Sequence, residues 1–202
     1  MPTRADIVTF HDPPPPPGQS PWVDGAAPST HVEVVDADPA WADWFVELEA
    51  RVRAALGPRA LVVEHVGSTS VPGLAAKPIV DVDLTVADTE NEVAYVPPLV
   101  AAGFELRVRE PWWHGHRLLR STTPMCHLHV FDFRSPETVK HRVLRDWLRT
   151  HPDERELYAD AKRRAADAAT AAGEDSMQYN ARKEQVVREI YHRAFVGTGL
   201  LD

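Results

Sequence analysis

The chain has 202 residues, 44% of them hydrophobic and 26% charged, which suits one domain with a real core better than two. Thirty acidic residues against 22 basic ones give a formal charge of −8, the wrong sign for a general nucleic-acid-binding surface, although Arg142, Arg145 and Arg149 form a local basic spot. A single cysteine, Cys126, excludes an internal disulfide and reads as a small buried hydrophobe. With no basic-then-apolar leader and no apolar run long enough for a bilayer, a cytoplasmic protein without a membrane partner is expected.

Residues 1–30 read as a proline-rich disordered tail. Pro13 to Pro17 is an unbroken proline run, an extended segment without backbone donors. A docking peptide for a proline-binding protein partner is the alternative reading. Order is expected from 31 to 196, with a short tail over 197–202. His31 to Val35 reads as a strand. Asp38 and Pro39 then open a helix, in which Trp41, Trp44, Phe45, Leu48, Val52 and Leu56 recur at helical spacing until Gly57-Pro58 ends it. Leu61 to Val66 reads as a strand, followed by a Gly67-Ser68-Thr69-Ser70 turn and a second strand from Ile79 to Val86.

A helix over Asn91 to Ala102 follows, closed by Gly103. Phe104–Arg109, His116–Ser121 and His127–Phe133 read as further strands. Helices run from Ser135-Pro136-Glu137 to about Phe195, broken near His151-Pro152 and Ala172-Gly173. The fold class is therefore α/β of the α+β type: a mixed sheet with flanking helices and a helical C-terminal third.

The chemistry concentrates at Gly67-Ser68 and Asp81-Val82-Asp83. Residues two apart in a strand project to one face, roughly 6.5 to 7 Å apart. Asp81 and Asp83 thus point together, while Val80, Val82, Leu84 and Val86 bury on the opposite face. Two such carboxylates repel unless a cation lies between them, and Mg²⁺ or Mn²⁺ carrying a nucleotide's phosphates is the usual answer. The Gly67-Ser68 turn, with Thr69, offers backbone N–H groups and hydroxyls to a phosphate. A Gly-Ser turn followed by Asp-x-Asp on the next strand is the pattern of nucleotidyltransferases of the DNA polymerase β type.

The whole stretch Glu64-His65-Val66-Gly67-Ser68-Thr69-Ser70-Val71-Pro72-Gly73-Leu74-Ala75-Ala76-Lys77-Pro78-Ile79-Val80-Asp81 closely resembles the signature of the GrpB family. His116-Arg117, the His127-Leu128-His129-Val130-Phe131 strand, the Arg145 to Leu148 helix, and Tyr179 with Lys183 agree in order. The resemblance covers about residues 31 to 196. It implies a nucleotidyltransferase-like fold without an established activity. Domains of this family also occur fused behind dephospho-CoA kinase, which suggests an accessory folding role.

The third carboxylate of a polymerase-β-type metal cage is missing. The corresponding strand carries His127 and His129, metal candidates beside Asp81 and Asp83, or else ordinary hydrogen-bonded strand residues; Asp132 has the wrong parity. His65 either bonds a phosphate, orients Ser68 or makes a structural hydrogen bond. Lys77 ends the loop between turn and strand, within reach of phosphate oxygens, or is simply a solvated lysine; the Pro78 that follows and the family resemblance favour the first. Arg117 either clamps a substrate anion from the sheet face or pairs structurally with an Asp or Glu, which would look the same from sequence. Tyr179 and Lys183 share a helix face, where the tyrosine would stack a base and the lysine bond a triphosphate, or where the helix simply docks.

Two functions follow from different classes. One is a metal-dependent nucleotidyltransferase moving an NMP from an NTP to a small-molecule or protein acceptor, with Asp81, Asp83 and Ser68 at its centre. The other is a non-catalytic accessory domain. A histidine-and-aspartate metalloenzyme of another kind is a weaker third.

Overall fold

The computed structural model describes residues 2–202. Five strands, β1 (Val62–Val66), β2 (Val80–Val86), β3 (Glu105–Glu110), β4 (His116–Thr122) and β5 (Met125–Asp132), form one sheet in the order β1-β2-β5-β4-β3. The β2–β5 pair is parallel and the other three pairs are antiparallel, the mixed sheet that the sequence leads one to expect. Among the described residues six α-helices accompany it: α1 (Arg4–Val8), α2 (Ala40–Leu56), α3 (Val96–Ala101), α4 (Glu137–Thr150), α5 (Pro152–Ala172) and α6 (Ser176–Gly197). None is long and apolar enough to cross a membrane.

The two faces of the sheet differ in chemistry. Val80, Val82, Leu84 and Val86 of β2, with Cys126, Leu128 and Val130 of β5, share a buried core with Trp41, Leu48, Val52 and Leu56 of α2 and with Tyr95, Leu99 and Phe104. Burial pushes the Cys126 thiol far above its ordinary range, so this cysteine behaves as an apolar core residue. The other face carries Asp81, Asp83, His127 and His129, and it meets α4. A polar layer between sheet and helix must be internally paired to be tolerated. Behind α4, Val71, Leu74 and Ala75 of the loop after β1 pack with Leu148, Tyr158, Ala159 and Ile190, which fastens that loop to the helical third.

Three segments depart from expectation. His31 to Val35 is not a strand; only Val35 pairs, exchanging 2.9 Å backbone hydrogen bonds with Ala76 in both directions. The reason is that Val32 and Val34 turn into a cluster with Ala165, Ala166, Ala169 and Tyr179, so the segment crosses to the helical layer. The expected helix over 91–102 splits into a 3₁₀ turn (Glu92–Ala94) and the short α3. Pro97 and Pro98 lack N–H donors and restrain the residue before them, so the helix starts only at Val96.

The leader, expected to be disordered, lies against the domain in the structure. Helix α1 is held by a capping box between Thr3 and Asp6, and Ile7 and Phe10 pack on Tyr191 and Phe195. Further on, Pro21 to Val23 runs antiparallel to β3 through two hydrogen bonds, Arg109 N–H to Pro21 O at 2.8 Å and Val23 N–H to Arg107 O at 3.0 Å. These anchors, one apolar and one a backbone pairing, lie on either side of the proline run, which makes composition alone a poor guide to the segment.

Candidate functional site

Parity places the site as the strand argument requires. In the parallel β2–β5 register Asp81 stands opposite His127 and Asp83 opposite His129, so four polar side chains share the face toward α4. The Gly67 corner overlooks this face. Gly67 has φ +65° and leads into a 3₁₀ turn over Ser68–Ser70. A Cβ on it would run into the Asp81 carboxylate; glycine is needed there for both backbone angle and space.

Helix α4 braces the corner. Arg145 donates from Nη1 to His65 O at 3.0 Å, and Arg149 donates from Nη2 to Ser70 O at 2.7 Å. His65 stacks on Phe45 at 4.8 Å and its Nε2 lies 3.0 Å from Thr69 Oγ1. Burial lowers its pKa to about 4 against the pull of Asp81, leaving a neutral ring. His65 and Thr69 therefore satisfy each other.

The two aspartates differ. Asp83 is 2% exposed and its carboxylate receives the His141 Nδ1 proton at 2.9 Å. Burial opposes a charge on His141, yet Asp83 outweighs it and raises the pKa to about 9, so this is an imidazolium–carboxylate pair. Asp81 remains 31% exposed, with His127 Nδ1 at 3.5 Å and His129 Nε2 at 3.8 Å from Oδ1. Burial pushes its pKa up, but the two imidazoles outweigh that and hold the carboxyl well below the usual range.

The expected divalent ion does not fit the side chains as folded. Among the described residues no three His, Cys, Asp or Glu groups are gathered to hold a metal. The repulsion between the two carboxylates, which prompted that expectation, is relieved by histidines.

His129 is itself oriented from behind. His116 Nδ1 lies 2.8 Å from Glu110 Oε2, and His116 Nε2 lies 3.1 Å from His129 Nδ1. Burial outweighs Glu110 and holds the His116 pKa near 4, so the ring is neutral. The carboxylate accepts from Nδ1–H, and Nε2 must then accept the His129 Nδ1 proton. That leaves His129 Nε2 as the nitrogen facing Asp81.

Cations and aromatics close the far side. Lys77 Nζ stands 5.4 Å from the Tyr179 ring centre, and Lys183 Nζ stands 5.3 Å from Tyr179 and 5.9 Å from Tyr158. Lys77 also lines a cavity of about 660 Å³ with Trp44, Ile79, Pro124 and Met125. Tyr179 is only 1% exposed and two ammoniums stand by its ring, so of the two readings for this helix face the docking one fits the tyrosine.

Arg117 shows the structural pairing with a carboxylate and not a place on the site face. It stands opposite Val130 in the β4–β5 register, hence on the apolar core side, where it donates to Glu92 at 2.5 Å. Alternation along β4 explains this: His116 takes the site face and its neighbour the other.

The sequence reading missed His141, Glu110, Tyr158 and Lys162. A signal for His141 existed, since His141, Arg145 and Arg149 repeat every four residues and so form one polar stripe on α4. Glu110 gave none, because its role depends on a hairpin partner.

A model for the "GrpB protein" family matches residues 31–193. The UPF0157 protein of Halalkalibacterium halodurans is 41% identical over 163 residues, covering 81% of this chain and 82% of that one. The crystal structure of conserved protein GrpB from Enterococcus faecalis superposes with a TM-score of 0.71 at 30% identity, over 82% of this chain and 99% of that chain. The dephospho-CoA kinase of Mycolicibacterium paratuberculosis is 31% identical over 191 residues, but only 46% of its length is covered. The signature from Glu64 to Asp81 and the family match from residue 31 onward agree: this chain belongs to the GrpB family.

Proposed function

We propose that the domain binds a nucleotide by its phosphates beside the Gly67-Ser68 corner and transfers the nucleoside monophosphate to a small-molecule or protein acceptor. The observation that supports this most is the open Asp81 carboxylate, set against a glycine that admits no side chain and backed by Lys77 and Lys183. In this reading an acceptor hydroxyl attacks the α-phosphorus and gives its proton to His129 Nε2, while the bond to pyrophosphate breaks. Lys77 and Lys183 offset the charge that develops on the leaving pyrophosphate. Ser68 and the Thr69 backbone position the phosphates, and the cavity beside Lys77 gives the rest of the substrate room. A Mg²⁺ or Mn²⁺ ion would supply further charge neutralisation, but seating it between the aspartates requires Asp83 to leave His141, and no step here depends on it.

Label transfer tests the reading. Protein incubated with α-³²P-labelled NTPs, with and without divalent ions, and a panel of hydroxyl and amine acceptors should yield labelled acceptor, and Asp81→Asn should abolish it. Absence of transfer to every acceptor, together with no nucleotide-induced rise in melting temperature, would end it.

A second reading is favoured by one specific observation, the closed Asp83–His141 pair. A domain that keeps the fold but has sealed half of its acidic pair suits an accessory role, and the similarity to part of a dephospho-CoA kinase is compatible with that. It makes Asp81→Ala harmless to whatever the protein does in the cell.

A further inference from the structure

Lys162 stands out among the groups that the proposed chemistry does not use. It sits in the middle of α5 in a buried stripe with Tyr158, Ala165, Ala166 and Ala169, and is 2% exposed. Its Nζ is buried with no hydrogen-bond partner among the described residues. The ammonium lies 4.4 Å from the Tyr158 ring centre, and Lys183 shares that ring from α6 at 5.9 Å. Lys183 in turn shares Tyr179 with Lys77. Three lysines from α5, α6 and the loop before β2 thus converge around two tyrosine rings on the side of the sheet that carries Asp81.

Such an arrangement is costly without a partner. An unpaired buried ammonium loses its hydration, and like charges nearby add repulsion. The faces packed around Lys162 supply Lys183 and Arg163, which disfavour its charge, and Asp81, which favours it; burial is the largest influence and drives its pKa well below the ordinary lysine range. Lys77 is lowered in the same sense, first by burial and then by Lys183 against Asp81. A tyrosine ring offers a weak cation–π contact and no charge. What would satisfy three ammoniums at once is a multiply charged anion; of the three lysines, Lys77 also lines a cavity.

We propose that Lys162, with Lys77 and Lys183, seats the terminal phosphates of a polyphosphate-bearing ligand, with Lys162 as the buried anchor. This deepens the nucleotide reading by naming the chain length the site selects: three ammoniums match a triphosphate better than a single phosphoryl group.

Inorganic tripolyphosphate is the probe, titrated into the full-length protein by calorimetry and followed by thermal shift beside orthophosphate. The wild type should bind tripolyphosphate at least tenfold more tightly than orthophosphate. Lys162→Met should melt higher than wild type without ligand, since a desolvated amine is replaced by a thioether of similar length, yet bind tripolyphosphate at least tenfold more weakly. Lys162→Arg, read by circular dichroism and the same titration, guards against a variant that fails to fold, and should retain more of the affinity than the methionine variant. Unchanged affinity in Lys162→Met, or a preference for orthophosphate, overturns the proposal. Lys162-dependent tripolyphosphate binding without label transfer would leave the seat standing and remove the transferase reading; label transfer with Lys162-independent binding would do the reverse.

Discussion

A methyl group on Gly67 would meet the carboxylate of Asp81 and lie 2.9 Å from the Asp81 Cβ. The corner after β1 and the first acidic residue of β2 are thus fitted to each other, and they form the spatial reference for the rest of the site. Gly67→Ala should cost about 3 kcal/mol, combining a non-glycine residue at positive φ with a steric overlap. In an Asp81→Gly background the overlap is gone and only the backbone term persists. Urea unfolding of the four proteins should therefore give a coupling of about 1 kcal/mol or more; additive costs would show that the two residues do not press on each other.

Stability should peak near pH 6.5 and fall on both sides. His141 has a folded pKa of about 9 against an ordinary 6.5, so its contribution is complete below 6.5 and disappears as the pH rises through 9. His65 and His116 are held near 4. Between pH 6.5 and 4 the unfolded chain takes up protons that these folded rings refuse, which erodes stability toward acid. His141→Gln should flatten the alkaline limb and cost about 3 kcal/mol at pH 6.5, because Asp83 is left buried without its partner. Denaturant melts across pH 4.5 to 9 measure both limbs, and an alkaline limb unchanged by His141→Gln would contradict the pair.

Replacing Arg117 separates the two faces of the sheet. Arg117 is paired with Glu92 on the core side, so Arg117→Met should lower stability by about 1–3 kcal/mol and leave the affinity for any phosphate ligand within twofold. A tenfold loss of tripolyphosphate affinity would return this arginine to the site.

The Glu110–His116–His129 chain makes a spectroscopic prediction. In ¹⁵N spectra of the imidazole rings at neutral pH, His116 should carry its proton on Nδ1, and neutral His129 should as well. Glu110→Ala removes the acceptor that orders the first ring and should mix the tautomers of both. A neutral His129 protonated on Nε2 in the wild type would break the chain.

Strand periodicity made the sheet legible from sequence. The alternation of valines with Asp81 and Asp83 in β2 fixed which residues bury and which face α4, and the same period put His127 and His129 beside them. At Arg117 parity with the adjacent His116 separates an anion clamp on the site face from a structural ion pair on the other, and the pair with Glu92 is the one formed. The closure of Asp83 was illegible because His141 lies 58 positions away, and nothing local marks a helix residue as the partner of a strand residue. Lys162 was visible as a lysine inside an alanine stripe, but helix propensity gives lysine and alanine similar standing, so only packing reveals that its amine is enclosed.

The leader gives β3 a neighbour it would otherwise lack. In the strand order β3 is an outer strand, and the short pairing with Pro21 to Val23 covers part of its row of amides and carbonyls. The proline run just before it cannot extend that ladder, so the sheet is capped and sealed by the same stretch. A chain starting at residue 31 would leave that ladder bare and, separately, uncover the rings of Tyr191 and Phe195; exposed strand edges and apolar patches each favour self-association. In this protein residues outside the family match cover part of an outer strand and two aromatic rings.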